Sequence, residues 1–361
     1  MPVIKRLVEE GHEVHAAFRD NSADKKGLDL SAFQQTFEIQ FERSPYKISN
    51  IKAYFALKKV IHEGRYDLIH CHTPVGAMLT RLAARSERKK GTKVFYTAHG
   101  FHFYRGASKK NWLLFYPVEK HLARYTDELI TINEEDYELA VKKHFRAGRI
   151  IKIDGVGVDL SKFSVAAPEE RRQARESFGL RPEQFVMLYA ADLSERKNQP
   201  MIFRALSRLK EKYPDILVWM PGQPILQKEY ERQCEELGIS EMIQFMGYRR
   251  DIDRLLTACD CVISSSRQEG LPVNLIEAAA SGKYIIATDV RGNADVVKQS
   301  GFGALVPLND DEAMAREIGR VVENPPETAD LSENIKNYMV EAVVEKVLSE
   351  YKNAIPAFET R

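Results

Sequence analysis

Short apolar runs alternate with amphipathic stretches along almost the whole chain. Runs rich in β-branched and aromatic residues predict strands in the first half at Glu13–Phe18, Phe37–Phe41, Asp67–His70, Lys93–Thr97, Glu128–Ile132 and Ile150–Ile153. The same signal predicts strands in the second half at Phe185–Ala190, Ile216–Met220, Ile243–Phe245, Cys261–Ser264, Tyr284–Ala287 and Ala304–Val306. Helical periodicity lies between them, over Ile51–Glu63, Val75–Arg85, Glu134–His144, Gln199–Lys212, Lys228–Leu237 and Pro272–Ala280.

This alternation is typical of an α/β fold with parallel sheets and helices on both faces. A turn-rich segment, "IDGVGVDLSKF", separates two such patterns. We therefore expect an N-terminal α/β domain at 1–160, a second α/β domain at 161–325, and a C-terminal helix in 326–361 that packs back towards the first. Ligands of such sheets bind beyond the carboxyl ends of the strands, so the predicted site is a cleft between the two domains.

Composition narrows the class of protein. The 361 residues carry a net charge of +1, which argues against nucleic acid as a partner. The sequence has no apolar run approaching the ~20 residues that span a bilayer and no signal-peptide pattern. The four cysteines show no metal-ligand spacing, so we expect buried, reduced thiols in a cytoplasmic enzyme.

Basic residues are concentrated in the first half, above all between Arg81 and Arg124, whereas the second half is net acidic. A surface of one charge sign attracts phosphates and the anionic face of a membrane. This stretch predicts peripheral contact with the inner face of the cell membrane. A solvated face without a partner is the alternative.

The segment "SSSRQEGLPVNLIEAAASGKYIIATDV" carries the clearest candidate chemistry. A strand ends at Ser264, a loop brings Glu269 and Gly270, and a helix is predicted to open with Pro272 in its first turn. Glu277 then lies about one and a half turns into this helix. Free amides at a helix start bind anions, so a phosphate could sit there with one carboxylate near a sugar and the other near a ribose. The alternative is a loop residue and a surface helix residue with no ligand.

Other strand-to-helix turns of the second half are expected at the same edge of the predicted sheet, where the carboxyl ends of its strands lie. In "ADLSERKNQP", Lys197 and Asn198 stand where the next helix begins. A lysine there opposes the helix dipole unless an anion is bound, although it could simply face solvent. Two further turns carry Gly222, in "WMPGQP", and the run Gly247–Tyr248–Arg249.

In the first half, "FYTAHGFHFY" ends a predicted strand at His99, where an α/β site places polar side chains. A histidine that only ends the strand is the alternative. His70 and His72 alternate in "DLIHCHTP", but no third ligand has matching spacing, so no metal site is expected.

At these residues the sequence resembles glycosyltransferase family 4, the retaining transferases of GT-B fold. The similarity extends from "EEGHEVHAA" to the last helix and is strongest to bacterial exopolysaccharide and capsule transferases through "DLIHCHTPVGAMLTRLAAR" and "TAHGFHFYRG". The motif E-G-L-P-x-x-x-x-E-A, with Glu269 and Glu277, is its most specific part.

The resemblance implies a role for each matching residue. Glu269 would contact the donor sugar, with the amides of Gly270 and Leu271 beside the sugar and diphosphate. Glu277 would bind the ribose. Lys197, next to Asn198, would bind the diphosphate. His99 would reach the reacting centre from the first domain. The remaining donor pocket would contain Gly222, Gly247, Tyr248 and Arg249. The family implies no metal and no other cofactor.

Two departures from the family pattern stand out. Asp192 occupies a position where the family usually has an arginine for the diphosphate. In addition, "PVIKRLVEEGHEV" reads as the family's first helix, so its usual preceding strand and Gly-containing loop are missing. From this we expect a truncated, less stable first domain with little transferase activity.

The predicted activity is transfer of a hexose-type sugar, with retention, from a nucleotide diphosphate donor such as a UDP-sugar to a lipid-linked or saccharide acceptor, in cell-surface polysaccharide synthesis. A GT-B sugar-nucleotide epimerase and a non-catalytic nucleotide-binding remnant are the alternatives. A dehydrogenase is disfavoured because no G-x-G-x-x-G follows a strand.

Overall fold

Two units pack separately along the chain, and a computed structural model describes residues 2–19, 30–42, 44, 47–155, 157–159 and 161–355. The first unit comprises Met1–Gly155 with Val340–Arg361, and the second comprises Val156–Met339. The second unit begins before the expected boundary because Val158 bridges to Met339 and is buried in its core. Leu160, where we placed the boundary, and residues 356–361 lie outside the described residues.

The first unit contains most of the helices and strands predicted for the first half. In chain order its elements are α1 (Pro2–Glu9), β1 (His15–Phe18), β2 (Gln35–Glu38), α2 (Ser49–Gly64), β3 (Leu68–His72), α3 (Pro74–Ala83), α4 (Arg85–Arg88), β4 (Lys93–Ala98), α5 (Lys109–Leu122), β5 (Glu128–Thr131), α6 (Glu134–Lys142) and β6 (Arg149–Lys152). The strand expected at Phe37–Phe41 begins two residues earlier and ends three residues earlier, because Gln35 to Glu38 pair with β1.

The strands of the first unit form two separate parallel sheets. One has the order β3-β4-β5-β6, and the other contains only β1 and β2. Strands β4 and β5 are buried along most of their length, which explains their near-continuous apolar sequence. The edge of β1 that faces away from β2, and that of β3 that faces away from β4, have no strand partner among the described residues.

A cavity of about 730 Å³ lies where the two sheets fail to join. Residues of β1, β2 and β3 line it, together with residues of α2 and α3; they include Ala17, Phe37, Leu57, Ile61, Leu68, Ile69 and Val75. Among the described residues of the first unit, β1 and β3 therefore lie on either side of a gap that no strand fills.

The second unit contains α7 (Pro168–Ser177), β7 (Phe185–Leu188), α8 (Gln199–Leu209), β8 (Ile216–Pro221), α9 (Gln227–Leu237), β9 (Ile243–Gly247), α10 (Ile252–Ala258), β10 (Cys261–Ser264), α11 (Val273–Ala280), β11 (Tyr284–Thr288), α12 (Asn293–Ser300), β12 (Gly303–Val306), α13 (Asp311–Glu323) and α14 (Ser332–Ile335). The chain then returns to the first unit as α15 (Val340–Ala354), which packs against α1.

All six strands of the second unit form one parallel sheet with the order β12-β11-β10-β7-β8-β9. The first strand of this unit, β7, is central, and the chain runs outwards from it to both sides. Buried side chains cover both faces of the sheet. The strand order reverses between β7 and β10, and such a switch point opens a crevice at the carboxyl ends of the strands.

The basic stretch between Arg81 and Arg124 is not one continuous surface. Arg81 is buried and forms a 2.8 Å ion pair with Glu119, and Arg88 pairs with Asp127. Lys89, Lys109 and Lys110 are exposed, among others. Composition showed the excess of charge, but the pairing depends on tertiary contacts that the sequence does not display.

The cysteines and the helices agree with two further expectations. All four cysteines are free and buried. Among the described residues, no helix is both long and apolar enough to cross a bilayer.

Candidate functional site

The loops after β7 and β10 meet at the switch point of the second sheet. Lys197, in the first loop, places its Nζ 2.7 Å from Oε1 of Glu269, in the second loop. Arg196 approaches the other oxygen of the same carboxylate, with its Nη1 3.1 Å from Oε2. Since the two loops are more than seventy residues apart in sequence but follow adjacent strands, the strand order brings these charges together.

Glu269 is held from two sides. Its side chain is buried between the two cations, and its carbonyl oxygen accepts a 3.0 Å hydrogen bond from Nε of Arg291. Because Arg291 follows β11, three neighbouring strands contribute to the position of this one carboxylate. A carboxylate fixed in this way can accept hydrogen bonds from sugar hydroxyls with little reorganisation.

The loop that carries Lys197 is fixed through its backbone. The hydroxyls of Tyr189 and Ser265 both donate to the Lys197 carbonyl, at 2.7 and 3.0 Å. Asn198 adopts a left-handed backbone with φ of 56° and donates through Nδ2 to the carbonyl of Ser265. This buried asparagine precedes α8, so the predicted place of Lys197 and Asn198 at a helix start is confirmed.

Gly270 and Leu271 connect Glu269 to helix α11. A Cβ at Gly292, the residue before α12, would stand 2.7 Å from the Gly270 carbonyl oxygen, so the two loops touch through their backbones. Leu271 packs against the apolar core of the second unit. Helix α11 begins at Val273, with Pro272 in the capping position instead of inside the first turn as predicted.

Glu277 lies on α11 and is partly buried. Burial raises the pKa of its carboxyl group to about 7. Within the described part of the chain, its side chain makes no hydrogen bond or ion pair. A half-buried carboxyl group without a protein partner is available to a ligand that brings hydroxyl donors.

Gly222 and Gly247 lie side by side at the same edge of the sheet. The Gly222 amide donates to the Gly247 carbonyl at 2.8 Å, and a Cβ at Gly222 would stand only 2.0 Å from the Ala191 carbonyl oxygen. No other residue fits there without moving the chain after β7. Tyr248 is mostly exposed, and Arg249 forms an ion pair with Asp251.

Asp192 and Arg196 lie in the same loop after β7 as Lys197. The Asp192 carboxylate accepts a hydrogen bond from the Gln223 amide at 3.2 Å, so it fixes the loop after β8. Arg196 supplies a second cation beside Lys197, and it was not among the predicted site residues. Its position directly before Lys197 was the available signal, but an exposed loop arginine has no distinguishing pattern.

Because the family resemblance implies a diphosphate beside Lys197, we predict that Arg196→Ala, which removes a half-exposed cation next to Lys197, lowers the affinity for UDP roughly three- to tenfold. Calorimetry with UDP and with uridine measures this. Uridine lacks the phosphates, so its affinity should not change. Arg232→Ala, which removes an exposed arginine of α9, is the matched control. Equal loss of uridine and UDP affinity would contradict the assignment.

In the first unit, a histidine cluster stands at the carboxyl ends of β3 and β4. Nδ1 of His72 lies 3.0 Å from Nε2 of His99, and His70 stacks on His72. Desolvation lowers the pKa of His99, and desolvation together with the charge of His99 lowers that of His72 to about 4. Both rings are therefore neutral near pH 7, and one donates its N–H to the other.

Both ring nitrogens of His70 have hydrogen-bond partners within the protein. Its Nε2 lies 2.7 Å from the Thr97 hydroxyl, and its Nδ1 contacts the Tyr351 hydroxyl of α15. Across the described ranges, no group of three or more His, Cys, Asp or Glu side chains is arranged to hold a metal ion. The independence from metal that the family implies stays a prediction.

Of the predicted site residues, Lys197, Asn198 and Glu269 lie together at the switch point. Gly270 and Leu271 continue that loop. Glu277 lies further along α11, and Gly222 and Gly247 border the neighbouring strands. His99 belongs to the first unit and pairs there with His72.

Two protein-family models match the sequence of this chain. The family model "Glycosyl transferases group 1" matches residues 170–338, and the model "Glycosyl transferase 4-like" matches residues 1–133. The two matches together span most of both units.

Individual relatives agree with the family match. The chain is 42% identical to the Bacillus subtilis (strain 168) protein named "Putative glycosyltransferase EpsD", over 90% of this chain and 84% of that protein. It is 28% identical to an Escherichia coli UDP-Gal:alpha-D-GlcNAc-diphosphoundecaprenol alpha-1,3-galactosyltransferase, over 81% and 76% of the two chains. The crystal structure of Anabaena HepE with UDP and glucose has a TM-score of 0.78 at 20% identity, covering 97% of this chain and 94% of that one.

Proposed function

Because the chain belongs to the glycosyltransferase 4-like family and has the fold of GT-B enzymes, we propose that it transfers a sugar from a UDP-sugar to a lipid-linked or saccharide acceptor with retention of configuration. The observation that carries this proposal is the contact of Glu269 with Lys197 and Arg196 at the switch point. A diphosphate bound beside Lys197 and Arg196 would share the two cations with the Glu269 carboxylate, and the remaining lone pairs of that fixed carboxylate would accept hydrogen bonds from sugar hydroxyls.

Two related proteins support the choice of UDP as the nucleotide of the donor. HepE was crystallised with UDP and glucose, and the E. coli relative is named for UDP-Gal. The name of the same relative gives a sugar linked to diphosphoundecaprenol as the acceptor. For this chain we accordingly propose a lipid-linked acceptor in cell-surface polysaccharide synthesis, including capsule-type polymers, and peripheral contact with an anionic membrane.

Cations, loop amides and helix starts would stabilise the leaving diphosphate. Lys197 and Arg196 would neutralise its charge, and the amides of Gly270 and Leu271 would donate to it or to the sugar. Glu277 would accept hydrogen bonds from the ribose, and Gly247, Tyr248 and Arg249 would border the base. The leaving phosphate oxygen would take the acceptor proton, so we assign no enzymic base. The role of His99 stays a prediction.

The proposal is tested by incubating the protein with a panel of UDP-sugars and an undecaprenyl-diphosphate-linked sugar, and determining the product by mass spectrometry and its anomeric configuration by NMR. An α-linked product from an α-linked donor would support it. An altered UDP-sugar without transfer would indicate an epimerase. UDP binding without any turnover would indicate a nucleotide-binding remnant.

We predict that Glu277→Gln weakens uridine binding at pH 8, by about tenfold or more, because a charged acceptor to the ribose hydroxyls is lost. In the wild type, the carboxyl pKa of about 7 means that the ionised acceptor is scarce at pH 6 and dominant at pH 8. Wild-type affinity should therefore rise with pH across this window, whereas that of the variant should not.

Calorimetry with uridine measures this effect without interference from phosphate titration. Glu277 has a raised pKa in the folded protein, so binding that favours the ionised form must release a proton near pH 6. Binding enthalpies that are the same in buffers of different ionisation enthalpy at pH 6 would contradict the role assigned to Glu277.

A further inference from the structure

Polar side chains at the carboxyl ends of β3 and β4 lie on one face of the four-stranded sheet. His70 and His72 are two residues apart on β3, and Thr97 and His99 are two residues apart at the end of β4, so each pair projects to one side. The register pairs His72 with Thr97. His99, two residues beyond Thr97, is therefore a diagonal neighbour of His72, and the register of the sheet brings the two rings together.

His70 is the fixed member of this group. Its Nε2 lies 2.7 Å from the Thr97 hydroxyl, and its Nδ1 contacts the hydroxyl of Tyr351, a buried residue of α15 whose ring packs on Phe95. A neutral imidazole has one donor and one acceptor nitrogen, and a hydroxyl can serve as either partner. Because both nitrogens of His70 are occupied, its ring has a fixed orientation and no nitrogen left for a ligand.

His72 stacks on His70 and contacts His99. The ring centroids of His70 and His72 are 4.4 Å apart, and Nδ1 of His72 lies 3.0 Å from Nε2 of His99. Both His72 and His99 are exposed. Within the described part of the chain, neither of these two rings makes another hydrogen bond. The orientation of the exposed His99 ring in the first unit therefore depends on His72.

The contact also determines which nitrogen His99 offers. Since Nε2 of His99 is bonded to His72, the nitrogen that remains for a ligand is Nδ1. In a neutral histidine, the hydrogen bond made by one ring nitrogen sets whether the other nitrogen carries the proton. A hydrogen bond with one direction thus holds His99 as one tautomer, and Nδ1 is then either a donor or an acceptor, but not a mixture of both.

We propose that His72 is the positioning residue of His99. The hydrogen bond between the two rings holds His99 in one orientation and one tautomer, and His70, held by Tyr351, keeps His72 in place. This proposal rests on the place of His99 at the reacting centre, which belongs to the proposed function. Because His72 acts on the transfer reaction only through His99, its loss changes the state of His99 even without substrate.

Nitrogen NMR of the full chain, labelled with ¹⁵N at histidine, tests this directly. In the wild type, the two ring nitrogens of His99 should give one protonated and one unprotonated signal. In His72→Phe, which keeps a stacked ring but removes the hydrogen bond, these signals should move towards their average. His121→Phe, the same change at an exposed histidine of α5, should leave them unchanged. A tautomer mixture in the wild type, or unchanged His99 signals in His72→Phe, would overturn the proposal.

Turnover of a UDP-sugar gives the second measurement. His72→Phe should lower kcat about five- to tenfold, the effect of one hydrogen bond, with KM and UDP affinity changed by less than about twofold. His72→Asn places an amide near the position of Nδ1 and should keep kcat within about threefold of the wild type. A fall in UDP affinity equal to the fall in kcat, or equal losses in the Phe and Asn variants, would contradict a positioning role.

A double variant separates action through His99 from independent action. In a His99→Gln background, adding His72→Phe should lower kcat by less than about twofold, because the residue that His72 positions is already lost. Losses that add fully would overturn the proposal. If the wild type shows no transfer, the proposed function is wrong, whereas the NMR signals still decide whether His72 fixes His99.

Tyr351→Phe tests the support of His72 from α15. The variant keeps the ring that packs on Phe95 but removes the hydroxyl on Nδ1 of His70. We expect a mixture of His70 tautomers and a fall in kcat of about two- to threefold, smaller than in His72→Phe, because the hydrogen bond to His99 remains. An unchanged His70 tautomer, or a larger fall in kcat than in His72→Phe, would contradict this order of contacts.

Discussion

Replacing Glu269 by glutamine is expected to lower sugar transfer roughly ten- to hundredfold, the largest loss among the site variants, while UDP affinity is retained or rises. The reason is the double contact of this carboxylate with Lys197 and Arg196. A neutral amide keeps the shape but loses a charged hydrogen bond to the sugar at the reacting centre. It also stops neutralising both cations, which then attract the diphosphate more strongly.

The measurement is turnover of the UDP-sugar that the wild type uses, together with UDP affinity by calorimetry. Glu277→Gln is the matched control, because it makes the same chemical change on α11 and should act mainly on affinity. A fall in kcat with unchanged KM would identify an interaction made in the transition state. Equal losses of UDP affinity in the two variants would contradict the assignment of Glu269 to the sugar and Glu277 to the ribose.

Replacing Arg81 by methionine is expected to destabilise the first unit by about 3–5 kcal/mol, because it leaves Glu119 buried without its charge partner. The guanidinium of Arg81 is 1% exposed and lies 2.8 Å from the Glu119 carboxylate. It also donates to the Ala77 carbonyl and stacks over the Tyr96 ring at 4.3 Å. Methionine fills part of the volume but satisfies none of these groups.

Urea unfolding followed by circular dichroism measures the loss. The double variant Arg81→Met/Glu119→Leu removes both charges and should recover most of the stability. Arg172→Met breaks ion pairs on the exposed face of α7 and should change stability by less than about 1 kcal/mol. If Arg81→Met and Arg172→Met lower the free energy of unfolding equally, the prediction that the buried ion pair contributes more to stability than an exposed one is wrong.

The second unit was predictable from sequence to a large extent. Its strands are near-continuous apolar runs, since both faces of the sheet are covered, and each turn after a strand carries a glycine or charged residue. Glu269 and Lys197 could be placed at the same edge from these local signals. Their contact could not be predicted, because it depends on β7 and β10 being neighbours in the sheet. No local sequence pattern indicates which strands are neighbours.

Charge was the least predictable property. Arg81 and Lys109 look alike in the sequence, yet one is buried in an ion pair and the other is exposed. Asp192 stands out in the sequence only as a departure from the family pattern, and its contact with the Gln223 amide of the loop after β8 depends on the fold. In the same way, Phe55 is 62% exposed, although Ala53 and Leu57 of the same helix are buried.

The separation of β1 and β2 from the other strands of the first unit has a consequence for hydrogen exchange. Alternate amides of β3 point away from β4, towards the cavity between the two sheets. These amides should exchange with solvent deuterium much faster than those of β4 and β5, which have strands on both sides. The two-stranded parallel sheet of β1 and β2 should open at a lower free energy than the four-stranded sheet, so the amides of the first unit should lose their protection from exchange in two steps.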